Sequence, residues 1–118
     1  MLKDYKAILD SYKKLKVGWD GYPRTDPPTI SSLADAMTII NLCFNTYHEL
    51  EDLKLDSIES GVAIEWRHPE CQSEMNIWCR YDEFDCGISA FGVSFYLETK
   101  DLDKVSAFMS YYVNEVLG

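Results

Sequence analysis

Apolar residues return at steps of three and four from the first turn of the chain. Leu2, Tyr5, Ile8, Leu9, Tyr12 and Leu15 share one face, and lysines fill the other. That period marks an amphipathic helix, and Gly18 predicts its stop, because glycine tolerates the left-handed backbone just past a helix end. Trp19-Asp20-Gly21-Tyr22-Pro23, followed by Pro27-Pro28, reads as a loop rich in turn-formers. Periodicity resumes at Ile30 and runs through Leu33, Met37, Ile40, Phe44 and Tyr47, a second and longer helix. Thr29, Ser31 and Ser32 are its candidate caps, with Ser32-x-x-Asp35 as a capping box. Ala34, Ala36, Ile39 and Cys43 widen the apolar face, which predicts that this helix is the central packing element.

Beyond an acidic stretch at 49–60, read as a solvated loop, the period becomes two. Val62, Ile64 and Trp66 alternate with Ala63, Glu65 and Arg67, a strand that Pro69 ends. Met75, Ile77, Cys79 and Tyr81 alternate with Asn76, Trp78 and Arg80, a second strand. Asp85-Cys86-Gly87 reads as a turn, and Ile88 to Leu97 as one continuous third strand. Its two faces are Phe91, Val93, Phe95 and Leu97 against Ala90, Gly92, Ser94 and Tyr96. Asp101 or Asp103 caps a last helix whose face is Leu102, Val105, Phe108, Met109, Tyr112 and Val116. The expectation is a single α+β domain over residues 1–118, in the order α-α-β-β-β-α. Its helices lie on one face of a three-stranded antiparallel sheet.

Composition supports a folded chain. The apolar share is 47% over 118 residues, too rich for a disordered acidic tail and sufficient for a core without a metal or disulfide staple. Charge narrows the partners. The 20 acidic against 11 basic side chains give a net charge of −9, which argues against binding phosphate backbones or anionic membranes. The charge is polarised: residues 1–24 carry six cations against three anions, and the remaining 94 residues carry five against 17. The acids gather at Glu49, Glu51, Asp52, Asp56 and Glu59, and again at Asp82, Glu83 and Asp85. Either these are solvated loops, or they form an electronegative face that steers a basic partner. The N-terminus has no apolar h-region and no stretch reaches the ~20 residues of a membrane span. Cys43, Cys71, Cys79 and Cys86 therefore read as reduced thiols in a cytoplasmic protein.

Candidate chemistry is sparse. His68, Cys71, Cys79 and Cys86 are spaced too loosely for a structural zinc site, so no metal or cofactor is expected. Cys71 and His68 lack a third orienting group. Asp20 and Glu65 beside Trp19 and Trp66 could form a carboxylate pair in a cleft, although Glu65 reads more simply as solvent-facing and Asp20 as holding its turn. Trp19 and Tyr22 are the residue types that anchor interfaces, but glycine-flanked aromatics also pack onto their own domain.

Gly18-Trp19-Asp20-Gly21-Tyr22 after a first helix, with Gly61-Val62-Ala63-Ile64-Glu65-Trp66 as a strand reading Gly-x-x-x-Glu-Trp, resembles a family of short bacterial and phage-encoded proteins. The resemblance covers residues 15–67. It implies the fold and a bacterial or phage origin, and it transfers no catalytic residue.

Two functional expectations follow. In the first, the chain is a small non-enzymatic inhibitor of antitoxin, immunity or anti-CRISPR (anti-defence) type. It would neutralise a basic nuclease or nucleic-acid-binding effector through Trp19, Asp20, Tyr22 and the two acidic clusters, without itself binding nucleic acid. In the second, it is a small enzyme or ligand-binding domain with a pocket around Trp19, Asp20, Glu65 and Trp66. A homodimer is also expected to be open to it, since the sheet leaves two edges.

Overall fold

The computed structural model describes residues 1–118. Helix α1 spans Leu2–Tyr12 and α2 spans Ile30–Asn45, followed by strands β1 (Lys54–Ile58), β2 (Gly61–His68), β3 (Ser73–Arg80), β4 (Glu83–Ala90) and β5 (Val93–Thr99). Helix α3, Leu102–Tyr111, widens into a π-type turn over Tyr112–Val116. Thr29 caps α2 by accepting a hydrogen bond from the Ser32 amide (3.0 Å), and Asp101 caps α3 through the Asp103 amide (2.9 Å). Of the three candidate caps for α2, the one before the first helical residue prevails, as a side chain must sit there to reach the free amides. No helix is long and apolar enough to cross a membrane.

The helix-plus-sheet class holds, but the sheet has five antiparallel strands in the order β1-β2-β3-β4-β5, not three. Two misread segments account for the difference. The acidic stretch contains β1, an edge strand in which Leu55 is buried while Lys54 and Asp56 are exposed. Five residues with one deep anchor carry too little alternation to stand out from the surrounding charges. The run Ile88 to Leu97 is interrupted by a reversal at Phe91-Gly92, and Asp85-Cys86-Gly87 lies inside β4 instead of forming a turn.

Both tight reversals escape notice for one reason. Tyr81 and Asp82 (φ 55° and 56°) join β3 to β4, and Phe91 and Gly92 (φ 55° and 78°) join β4 to β5. Positive φ at both central residues is the type I′ turn that suits strand twist, normally signalled by Asn-Gly. An aromatic residue in that conformation gives no such signal and carries strain. A two-residue turn also inverts alternation, so Ala90 pairs with Val93 on the helix side while Phe91 belongs to neither strand face. Phe91→Asn is therefore expected to stabilise the protein by about 0.5–1 kcal/mol, read as a higher urea midpoint with an unchanged slope.

All three helices pack on one side of the sheet. Leu9 of α1, Leu33, Ala36, Ile39, Ile40 and Cys43 of α2, and Val105, Met109, Tyr112 and Val116 at the C-terminus meet the inward residues of the strands in one core. The inward strand residues include Val62, Ile64, Trp66, Met75, Ile77, Cys79, Phe84, Cys86 and Ile88. Cross-strand pairs share a face, so the register assigns every other strand position to the opposite side. None of those residues belongs to the core cluster. That second face has no layer over it.

Candidate functional site

The open face is assembled from the strand positions that the core does not use. One row across the sheet reads Asp56, Ala63, Trp78, Asp85, Glu98, and the next Lys54, Glu65, Asn76, Gly87, Tyr96. Arg67, Glu74, Arg80 and Glu83 extend the rows above and below. Ala63, at 6% exposure, is buried by its neighbours on this face and not by the helices. Trp78 remains 36% exposed and Tyr96 81%. An aromatic centre with a charged surround is therefore displayed on rigid strands, which hold side chains more firmly than loops do.

The electrostatics of this face are acidic. Asp56, Glu65, Glu74, Glu83, Asp85 and Glu98 stand against Lys54, Arg67 and Arg80. Arg67 is engaged by Glu65 (3.4 Å) and Glu74 (3.8 Å), and Lys54 lies 3.9 Å from Asp56. Arg80 places its guanidinium over the Trp78 ring, 4.8 Å from the centroid, and 5.0 Å from that of Tyr81. Its Nε and the Oδ1 of Asp85 are shut from solvent without a hydrogen-bond partner. Glu83, Asp85 and Glu98 converge, with carboxylate oxygens within 4.8 Å of one another. A divalent cation would find its oxygen donors there, although surface carboxylates at such spacing are also common without an ion.

The residues singled out from sequence are distributed over three places. Asp56, Glu83 and Asp85 lie on the open face. Glu59 and Asp82 occupy the β1–β2 and β3–β4 turns at one end of the sheet, where Asp82 accepts a hydrogen bond from the Ser31 hydroxyl (2.6 Å). The Trp19–Tyr22 loop reaches the same end, since the Ser60 amide donates to the Asp26 carbonyl (3.1 Å). Glu49, Glu51 and Asp52 precede β1 at the far end, with Glu51 engaged by His48 (2.6 Å). The first acidic cluster is thus split, and the two clusters do not form one continuous patch.

Within its loop, Trp19 is half-buried and its indole donates to the Asp26 carbonyl (3.0 Å). Asp20 closes an Asx-turn by accepting from the Tyr22 amide (3.0 Å), and Tyr22 is 72% exposed. Trp66 points inward and donates to the Leu50 carbonyl (2.7 Å), whereas Glu65 faces the open side. Alternation puts them on opposite faces, so Trp66 and Glu65 do not line one pocket. His68 shares a hydrogen bond with the Tyr112 hydroxyl (2.7 Å), which also meets Ser73 (3.2 Å). Burial pushes the Tyr112 phenol above its ordinary range, opposed by the Ser73 hydrogen bond.

Cys43, Cys79 and Cys86 are buried in the core, and Cys71 sits half-buried in the connection between β2 and β3. Burial pushes the Cys43 and Cys86 thiols up to about 12, helped by Glu51 and Asp85 respectively, and raises Cys79 further in the same direction. The thiolate is the reactive form. One of the four thiols, Cys71, is therefore expected to react with a disulfide reagent at pH 8 in the native protein, and all four after denaturation. Rapid native reaction of two or more would contradict this burial.

Glu74, Trp78, Tyr96 and Glu98 were missed as candidate site residues. The alternation of the second strand already sets Trp78 opposite Met75 and Ile77, so it carried a signal. Glu98 and Tyr96 became readable only once the reversal at Phe91-Gly92 was placed. Comparison with family models, curated proteins and solved structures returns no match. The two motif segments are accounted for by packing. Gly61 is buried where a Cβ would collide with the Cys79 carbonyl and the Arg80 side chain, Trp66 fills the core, and Trp19 and Asp20 close their own loop.

Proposed function

We propose that this chain is a protein-binding module that neutralises a basic partner, such as a nuclease or nucleic-acid-binding effector, by covering it with the open face of its sheet. The observation that carries the reading is the placement of Asp56, Glu65, Glu74, Glu83, Asp85 and Glu98 around Trp78 on strands that no helix covers. Carboxylates arranged this way attract a cationic surface at long range and raise its rate of encounter. Trp78 supplies the desolvated aromatic centre that contributes most to affinity in such interfaces. Arg80 holds that ring in place from one side. A partner rich in lysine and arginine fits the carboxylate rim, and its function would be blocked by occupancy of its cationic groove. A cytoplasmic setting belongs to the same proposal, since it would keep the four cysteines reduced.

The test is capture of partners from the native host by the immobilised protein. A basic protein should be retained at low salt and released as salt screens the rim, and a Trp78→Ala, Glu98→Lys variant should fail to retain it. Retention that is indifferent to both salt and these substitutions would sink the proposal.

A further inference from the structure

Five of the twelve exposed large apolar side chains of this molecule gather at or beside one sheet edge. Phe91, Val93, Phe95 and Tyr96 are 68%, 51%, 43% and 81% exposed, and Tyr111 of α3, whose ring lies 6.1 Å from that of Phe95, is 45% exposed. An aromatic side chain presents roughly 150–250 Å², so the exposed parts of these five amount to at most about 500 Å² per copy, or on the order of 1,000 Å² over two, the threshold for a specific interface before the main chain of the paired edge is added. The strand beneath them is a bare edge. β5 pairs with β4 at every position from Val93 to Thr99 and has no proline, lysine or bulge to discourage a further strand. The opposite edge is treated differently. There α1 lies against the chain entering β1, and the Tyr5 hydroxyl bonds both the Glu51 carbonyl (3.0 Å) and the Leu53 amide (3.1 Å).

We propose that β5 is a homodimer edge, in which two copies of this chain pair β5 with β5 antiparallel about Tyr96 and form a continuous ten-stranded sheet. The backbone fixes the register. Ala90 and Val93 close a two-residue turn, so Val93, Phe95, Leu97 and Thr99 direct their amide and carbonyl groups toward β4, and Ser94, Tyr96 and Glu98 direct theirs outward. An incoming antiparallel strand must match outward groups with outward groups. Pairing Tyr96 with its own copy does so along the whole strand, setting Ser94 against Glu98 of the partner subunit at both ends. On the helix side the same register sets Phe95 against Leu97 of the partner subunit, and Val93 against Thr99 of the partner subunit. No like charges come opposite. The two Glu98 side chains stand four residues apart along the strand, about 13 Å at the usual rise, beyond the screening length at physiological salt.

This proposal does not depend on the basic-partner reading, and salt separates the two. Each copy carries −9, so self-association strengthens as salt rises, whereas capture of a basic partner weakens. Sedimentation of the wild-type chain from about 10 to about 500 µM should show the mass rising from 13.6 kDa toward twice that value, more readily in about 0.5 M salt. In the concentrated sample the amides of Ser94, Tyr96 and Glu98 should exchange about tenfold more slowly than in the dilute one. Tyr96→Pro removes an outward amide that the monomer does not use, so it should leave the circular dichroism spectrum intact and hold the protein monomeric. A mass that stays at the monomer value throughout, a dimer that survives Tyr96→Pro, or exchange at these three amides that ignores concentration would each overturn the proposal. If Tyr96→Pro does not fold, the exchange measurement on the wild-type chain decides.

Discussion

Replacing Trp66 with alanine is expected to cost about 3–5 kcal/mol, a large part of the total stability of a domain of this size. Trp66 is 1% exposed and is among the largest fully buried side chains. It belongs to the single core cluster, on the inner face of β2 opposite Met75. Its indole donates to the Leu50 carbonyl at 2.7 Å and so ties the short turn after α2 to β2. Alanine leaves a cavity and an unpaired buried carbonyl together, and the second defect adds to the first. Trp66→Phe keeps most of the volume and loses the hydrogen bond, and should cost about 1–3 kcal/mol. Urea unfolding of the two variants reads the difference as two distinct midpoints with one slope. A loss below about 1 kcal/mol for Trp66→Ala would mean that the core can collapse around the site, contrary to the packing described.

Inverting charge on the open face is expected to have the larger functional effect and almost no structural one. Asp56, Glu74 and Glu98 are exposed, on three different strands. Changing all three to lysine should weaken capture of the basic partner by about 3 kcal/mol at low salt, on the order of 100-fold, given the usual worth of exposed charge pairs. Stability should move by no more than about 0.5 kcal/mol, as for other surface positions. Tyr22→Ala is the contrasting variant. Tyr22 is more exposed than Trp78 but stands on the loop and not on the sheet face, so its removal should leave capture unchanged. Equal losses from both variants would place the contact at the end of the sheet, where the loop and the Glu59 and Asp82 turns gather.

The helices were legible because their apolar period is long and because α2 and α3 carry oxygen side chains at their caps; α1, capped at Met1, ends at Tyr12, short of Leu15 and of the stop expected at Gly18. Both features appear where the chain needs them, at Thr29 and Asp101. Strands β2 and β3 were legible from alternation. The rest was obscured by local exceptions with physical causes. β1 is short and half charged because one of its faces is open. The reversal at Phe91-Gly92 places an aromatic residue in a conformation that normally selects asparagine or glycine. Missing that turn joined β4 to β5 and concealed both the bare edge and the position of Glu98 opposite Asp85. The candidate site was half legible for the same reason. Asp56, Glu83 and Asp85 stood out as charge runs, but a charge run does not reveal whether its members share a face with Trp78. Only the register does.

The most direct measurement follows the three indole N–H signals of the isotopically labelled protein as the captured basic partner is added. Trp66 is sealed in the core and Trp19 is bonded to its own loop, while Trp78 lies on the open face. Docking on that face shifts or broadens the Trp78 signal and leaves the other two in place. Movement of the Trp19 signal with Trp78 unchanged would contradict it and assign the contact to the loop.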